Sequence, residues 1–183
     1  GVAFATSLGT VTVVSLSDVI LTDTGSALSA MTVAEIGDLA GSGFTHIDST
    51  NDVLSLDLSQ FAALGTVVPV DGDTVTIYDT SANLSALLPS EIADLNTEGV
   101  DILDASDGSL SLDVAQAFQL GSIVLEQDNT NTLADSSLHI ETLTATQIAQ
   151  LAGFGFDSVN ATDGSLDLSV DQYRALGTVS LTG

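Results

Sequence analysis

Three clusters of carboxylate and amide side chains recur along the chain with their oxygen atoms at short spacing. Asp48, Asn51 and Asp52 make the first; Asp101, Asp104 and Asp107, ahead of Gly108, make the second; Asp157, Asn160 and Asp163, ahead of Gly164, make the third. Oxygen ligands three residues apart around a glycine-containing turn suit Ca²⁺, a hard ion that takes six to eight oxygens. The candidate metal ligands are therefore Asp48, Asn51, Asp101, Asp104, Asp107, Asp157, Asn160 and Asp163, although no twelve-residue EF-hand loop surrounds them. The same residues have a simpler use. Asp and Asn side chains bond neighbouring main chain and tolerate left-handed backbone, so they build turns without any ion. The sequence favours the turn, with no cofactor required and Ca²⁺ as the alternative.

Other chemistries find less. His46 and His139 are the two histidines, and the positions that match them elsewhere in the chain hold Ile102 and Ser158, or Ala27 and Asn83. The one basic residue, Arg174, stands where Ala62 and Phe118 stand in the matching segments. A position that takes Ala, Phe or Arg lies at the edge of a core, with an Arg stem on apolar surface and its head in water. No Ser-His-Asp constellation, GxSxG elbow or phosphate-binding loop is present. Abundant carboxylates do not single out a glycosidase pair. The expectation is a protein that is not an enzyme, with no catalytic residue.

Charge narrows the partners. The 183 residues carry 25 Asp and Glu against the single Arg, a formal charge of −24. A nucleic-acid surface needs Lys and Arg to neutralise phosphates, so nucleic acid is not an expected partner. Anionic membrane surfaces would repel the chain, and no uncharged apolar run reaches the roughly 20 residues of a membrane span. Yet 44% of the residues are hydrophobic and only 14% charged, so this is a core-forming chain and not a solvated acidic tail. With no cysteine, disulfides and thiolate metal sites are excluded.

What must position these residues is a repeat. Glu35, Glu91 and Gln147 lie 56 apart, as do Gly43, Gly99 and Gly155, and Gln60, Gln116 and Gln172. Leu-Gly recurs at Leu8-Gly9, Leu64-Gly65, Leu120-Gly121 and Leu176-Gly177. Within each unit, Met31 to Leu39 is echoed by Leu56 to Leu64, so a unit reads as two unequal coils. Thr32 with Glu35, Asp57 with Gln60, Asp113 with Gln116, Thr144 with Gln147 and Ser169 with Gln172 have capping-box spacing and start short helices. Pro89 suits a first helical position in the unit that lacks the box. Gly43, Gly65 and their equivalents sit where left-handed C-terminal caps belong. Between the helices, residues 44–48, 53–56, 66–70 and 74–78 are β-branched, short and bounded by turn residues.

Short helix and short strand, repeated, predict an α/β fold of the repetitive β/α solenoid type, with a period of 56 residues built from two unequal coils. The expected division is residues 1–17 as the end of a preceding repeat, then 18–72, 73–129 and 130–183 as three repeats of one continuous solenoid. Three separate beads of 56 residues are the alternative; the missing linkers and the small core of such beads argue against it. Both ends fall at the same phase of the repeat without a polar capping unit. The expectation is an excerpt of a longer array, or else a chain whose open ends stack head to tail.

The idiom, clearest in LTATQIAQLAGFGFDSVNATDGSLDLSVDQYRALG, resembles repeat regions of very large secreted or surface, adhesin-like proteins of proteobacteria, of the type associated with RTX repeats. Glu35, Gly43, Asp48, Leu56, Gln60, Gly65 and their partners carry the resemblance over essentially the whole chain. The RTX nonapeptide itself is absent, since no Gly-Gly pair occurs. The resemblance implies an extracellular or cell-surface bacterial location and a structural or interaction role in adhesion, spacing or matrix. A Ca²⁺-dependent module and a subunit that self-assembles into a filament or layer through its ends are the alternatives.

Overall fold

The computed structural model describes residues 18–182. The expected remnant of a preceding repeat, residues 1–17, lies outside them. Helices form where the sequence supplies caps. All five capping boxes are present, each with the cap side chain accepting the amide of the third helical residue while Glu or Gln reaches back. At Pro89 the reverse half is also made, for Glu91 accepts the Leu88 N–H at 2.7 Å. The helices that follow are short: α2 (Val33–Gly41), α3 (Leu58–Ala63), α5 (Pro89–Thr97), α6 (Val114–Ala117), α8 (Ala145–Phe154) and α9 (Val170–Ala175).

Three five-residue helices were not anticipated: α1 (Gly25–Ser29), α4 (Ser81–Ser85) and α7 (Ser137–Glu141). Thr24, Thr80 and Ser136 cap them through the side-chain oxygen, but no Glu or Gln follows three residues later to complete the sequence signature.

Helix exits explain where the strands begin. Gly43 has φ +92°, the Gly43 N–H donates to Ala40 O, and the Phe44 N–H to Leu39 O. Gly155 (φ +94°) and Phe156 repeat this with Ala152 and Leu151. These are Schellman closures, which satisfy the last helical carbonyls and need a residue in the left-handed region. Phe44 is thereby part of the helix exit, and the strand expected over residues 44–48 runs instead over His46–Ser49 (β2). The segment expected over 66–70 contracts to Val68–Pro69 (β4), because the Val67 N–H closes a turn onto Leu64 O and Pro69 has no N–H to give.

The described residues fall into two compact units, one running to Tyr78 with Glu98–Val100 and the other comprising Asp79–Thr97 and the chain from Asp101. Every pairing described here is parallel. In the first unit β1 (Ile20–Asp23) pairs with β2, β2 with β4, and β3 (Val53–Leu56) with β5 (Thr74–Asp79). In the second, β6 (Ile102–Ala105) pairs with β8 (Val124–Leu125). There too β7 (Ser109–Leu112), β9 (Thr130–Asp135), β10 (Ser158–Ala161) and β11 (Ser180–Thr182) form one sheet in sequence order. The registers recur between the units. Val53 faces Thr74 as Ser109 faces Thr130, and His46 faces Val68 as Ile102 faces Val124. This is an open α/β architecture of parallel sheets and short helices, not a closed barrel.

Strand alternation sets each core. Leu54 and Leu56 point inward from β3, as Leu110 and Leu112 do from β7, all at most 1% exposed. Each such side chain contributes about 1.5–3 kcal/mol on burial. Ile36 and Leu39 of α2 face the first core; Ile148 and Leu151 of α8 face the second.

Candidate functional site

The turns that carry the candidate ligands share one backbone design. The Asp52 N–H donates to Ser49 O, the Gly108 N–H to Ala105 O and the Gly164 N–H to Ala161 O, at 2.8–3.1 Å. The last residue of each turn is left-handed: φ is +57° at Asp52, +77° at Gly108 and +78° at Gly164. Asp52 is the one non-glycine with positive φ among the described residues, which Asp tolerates better than most side chains.

The third turn residue reaches a helix start 26 residues earlier. Both Asp107 carboxylate oxygens are engaged, with the Ser81 N–H at 3.0 Å and the Ser81 hydroxyl at 2.6 Å. Asp163 holds Ser137 in the same way, through its amide at 3.0 Å and its hydroxyl at 2.8 Å. In the first turn Asn51 Oδ1 accepts the Gly25 N–H at 2.8 Å and the Ser49 hydroxyl at 3.0 Å. The Ser hydroxyls, with the amides behind them, hold the Asp107 and Asp163 carboxyls below the usual carboxylate range. A depressed carboxyl adds stability above its unfolded value and loses it as pH falls through the folded one, so these two ties weaken in acid.

The remaining candidate ligands are spread out. Asp48 lies half-buried on β2 opposite Thr22, and Asn160 on β10 opposite Ala134. Asp104 accepts Asn129 Nδ2 at 3.0 Å. Asp157 Oδ2 accepts the Asn131 N–H at 2.8 Å, while exposed Asp101 accepts the Val124 N–H at its carbonyl. No group of three or more His, Asp or Glu side chains among the described residues is placed to hold a metal ion. The histidines have local partners. His139 Nδ1 lies 2.7 Å from Asp135, where Asn83 Nδ2 donates to Asp79 at the same distance in the matching segment. His46 Nδ1 meets the Thr45 hydroxyl at 2.9 Å, and Arg174 reaches into solvent beside Asp171.

Carboxylates crowd at one place, Asp73. Its Oδ2 accepts the Ser49 N–H at 2.9 Å. Burial pushes its carboxyl up, the Ser49 amide opposes this, and the neighbouring Asp48 and Asp52 charges push it up further, so the net displacement is upward. The counterpart of Asp73 is Asn129, whose amide bonds the counterpart of Asp48. Asp73→Asn is therefore expected to stabilise the protein at neutral pH by about 0.2–1 kcal/mol, the range for solvent-screened charges. A carboxyl raised above its unfolded value carries a penalty above its folded pKa that disappears below it. The gain in melting midpoint should accordingly shrink as pH falls through the titration of Asp73; a destabilised Asp73→Asn at pH 7 would contradict this.

Gln60, Gln116 and Gln172 have a role that capping does not reveal. Gln60 Oε1 accepts the Asp57 N–H as the box requires, but Nε2 donates to Ser29 O at 2.9 Å and Met31 O at 2.7 Å. Gln116 does the same to Ser85 O and Leu87 O at 3.0 and 2.7 Å, and Gln172 to Glu141 O and Leu143 O at 2.9 and 2.7 Å. Each amide ties one helix start to the exit of a five-residue helix some 30 residues earlier, satisfying carbonyls that would otherwise be orphaned. Their signal in the sequence was the residue type: positions 35, 91 and 147 hold Glu or Gln, whereas 60, 116 and 172 always hold Gln, the only one of the two that can donate.

Asn131 is a second polar group the sequence concealed. Fully buried where Val75 stands in the matching strand, it donates through Nδ2 to Glu126 O at 2.9 Å and Gly155 O at 3.0 Å, and its Oδ1 has no hydrogen-bond partner. No helix among the described residues is long and apolar enough to cross a membrane. Comparison with family models, curated proteins and solved structures returns no match to this chain, so the reading rests on its own residues.

Proposed function

We propose that the chain is a structural and interaction module: a β/α solenoid of period 56, with two unequal coils per repeat, serving adhesion, spacing or matrix in a bacterial extracellular or cell-surface protein. The observation that carries this reading is the set of glutamine brackets at 60, 116 and 172, identical in their three bonds and 56 residues apart. The carboxylates of Asp107 and Asp163 are likewise spent within the chain, each on the backbone amide and hydroxyl of a serine 26 residues earlier. The extracellular placement rests on the resemblance of the repeat idiom and on the acidic, cysteine-free composition. No catalytic residue enters this function.

The alternative in which Ca²⁺ supports the turns is separated by a thermal melt in EDTA and in CaCl₂ at matched ionic strength. An ion that binds only the folded state at a hundredfold excess over its dissociation constant adds about 2.7 kcal/mol. The metal-free module is expected to melt cooperatively in EDTA with its midpoint unmoved by CaCl₂. A rise specific to Ca²⁺ would replace it with the calcium-dependent module.

A further inference from the structure

The chain contains three Asp-Gly pairs, Asp71-Gly72, Asp107-Gly108 and Asp163-Gly164, and all six residues are exposed. Such a pair is chemically reactive, because a glycine without a Cβ lets its own nitrogen approach the preceding carboxyl. None of the three glycines has a heavy atom of a non-neighbouring residue within 4 Å of where a Cβ would stand, so crowding does not separate the sites. Their hydrogen bonds do.

At two of the pairs both reacting groups are held. Ser81 takes up the Asp107 oxygens through its amide at 3.0 Å and its hydroxyl at 2.6 Å, and Ser137 takes up Asp163 at 3.0 and 2.8 Å. The Gly108 N–H donates to Ala105 O at 2.8 Å and the Gly164 N–H to Ala161 O at 3.1 Å. Carboxyls held below their usual range also stay ionised at neutral pH, and an ionised oxygen is a poor leaving group. The turn at Asp71 is built one residue out of step. The Asp73 N–H closes it onto Val70 O at 3.4 Å, which leaves Gly72 in its centre with φ +112°. The amide that joins the two central residues of a β-turn takes no part in its closing bond. The Gly72 N–H and the Asp71 carboxylate accordingly have no hydrogen-bond partner among the described residues. In the matching turn Gln127-Asp128 stands in place of this pair.

We propose that Asp71 is a site of spontaneous backbone modification, where the unbonded Gly72 nitrogen closes a succinimide onto the Asp71 side chain and hydrolysis leaves isoaspartate. The nitrogen attacks Cγ. The N–Cγ bond forms, a Cγ–O bond of the protonated carboxyl breaks, and the hydroxyl leaves with the amide proton as water. Water then opens the imide. Opening at Cγ restores aspartate, whereas opening at the Asp71 main-chain carbonyl routes the chain through Cβ and Cγ. The composition is unchanged, and water is the one co-reactant. The product carries an extra main-chain atom between the Val70 N–H bond to Ile47 O and the Thr74 N–H bond to Asp52 O, which fix the two ends of this turn. The inference goes beyond the solenoid reading and does not depend on it, since it needs only the three local turns.

The test is peptide mass spectrometry of the full chain aged at neutral pH in ¹⁸O-enriched water, which marks each ring opening with a heavy oxygen. Isoaspartate and label are expected to build up at Asp71 about tenfold or more faster than at Asp107 and Asp163, since each of those sites must first give up its bonds. In urea the three pairs share one unfolded environment, and their rates should converge. Ser81→Ala removes the hydroxyl from Asp107 and should raise the rate there severalfold while leaving Asp71 unchanged. Three outcomes would each overturn the assignment: equal rates at the three sites in the folded chain, no reaction at Asp71 on the timescale seen in urea, or a preference for Asp71 that persists undiminished in urea.

Discussion

Gln116→Glu is expected to be among the most damaging single substitutions in the chain, although it changes one NH₂ group for an oxygen. The side chain is 6% exposed, and its Nε2 is the donor to Ser85 O and Leu87 O. A glutamate keeps the capping bond from the Asp113 N–H but turns an acceptor toward two carbonyls. Each buried group left without its partner costs about 1–3 kcal/mol, and a desolvated charge adds to this. The expected loss is about 3–5 kcal/mol, read as a melting midpoint lower by roughly 10 °C for a chain of this size. Gln147→Glu is the control: Gln147 caps α8 through the box alone, a role Glu35 fills elsewhere, and its midpoint should stay within about 1–2 °C. Equal effects at the two positions would refute the bracket.

Gly25→Ser is expected to cost about 3 kcal/mol, at the upper end of overpacking penalties. A Cβ at Gly25 would stand 1.9 Å from Val53 O, a backbone atom that cannot rotate away. Serine nevertheless occupies the matching positions 81 and 137. The difference lies in the facing turn. Ser49 donates its hydroxyl to Val53 O and to Asn51, and Asp52 closes the turn at a smaller φ than Gly108 or Gly164. In the other turns Ala105 or Ala161, Asp107 or Asp163, and glycine take these places. Gly25, Ser49, Asn51 and Asp52 thus form one set. Installing Ser49→Ala, Asn51→Asp and Asp52→Gly together with Gly25→Ser should recover most of the lost midpoint, because the Ser–Asp tie seen at 81 and 107 can then form. A fourfold variant no more stable than Gly25→Ser would contradict this coupling.

What the sequence made legible was local. Capping boxes, the glycine at each Schellman exit and the Asp-Gly turns depend on residues within a few positions of one another, so Thr32–Glu35 or Gly43 can be read without knowing what packs on them. The five-residue helices after Thr24, Thr80 and Ser136 carry only half a signature, a cap without the Glu or Gln three residues on, which does not distinguish a helix start from a turn. The destinations of Gln60, Asp107 and Asn129 were not legible, because each bonds a residue 25 to 31 positions away and the distance in space follows only from the parallel registers. Asn131 was hidden by rule: an isolated Asn in a β-branched run reads as surface, whereas its amide here serves two buried carbonyls. Of the candidate ligands, Asn51, Asp107 and Asp163 lie in turns, Asp107 and Asp163 with their oxygens taken up by serines, whereas Asp48, Asp104 and Asn160 lie on strands.

The most direct test of the central claim, that this is one solenoid of period 56, is a melt of a chain lacking residues 73–128. Joining Gly72 to Asn129 brings Val53–Leu56 to face Thr130–Leu133 and Gln172 to keep Glu141 O and Leu143 O. If coils stack in that period, the shortened chain folds with the same helix and strand signature, melts cooperatively, and has a lower midpoint because one inter-repeat interface is gone. An unfolded product would contradict the period, and a folded product with an unchanged midpoint would mean independent beads in place of a continuous solenoid.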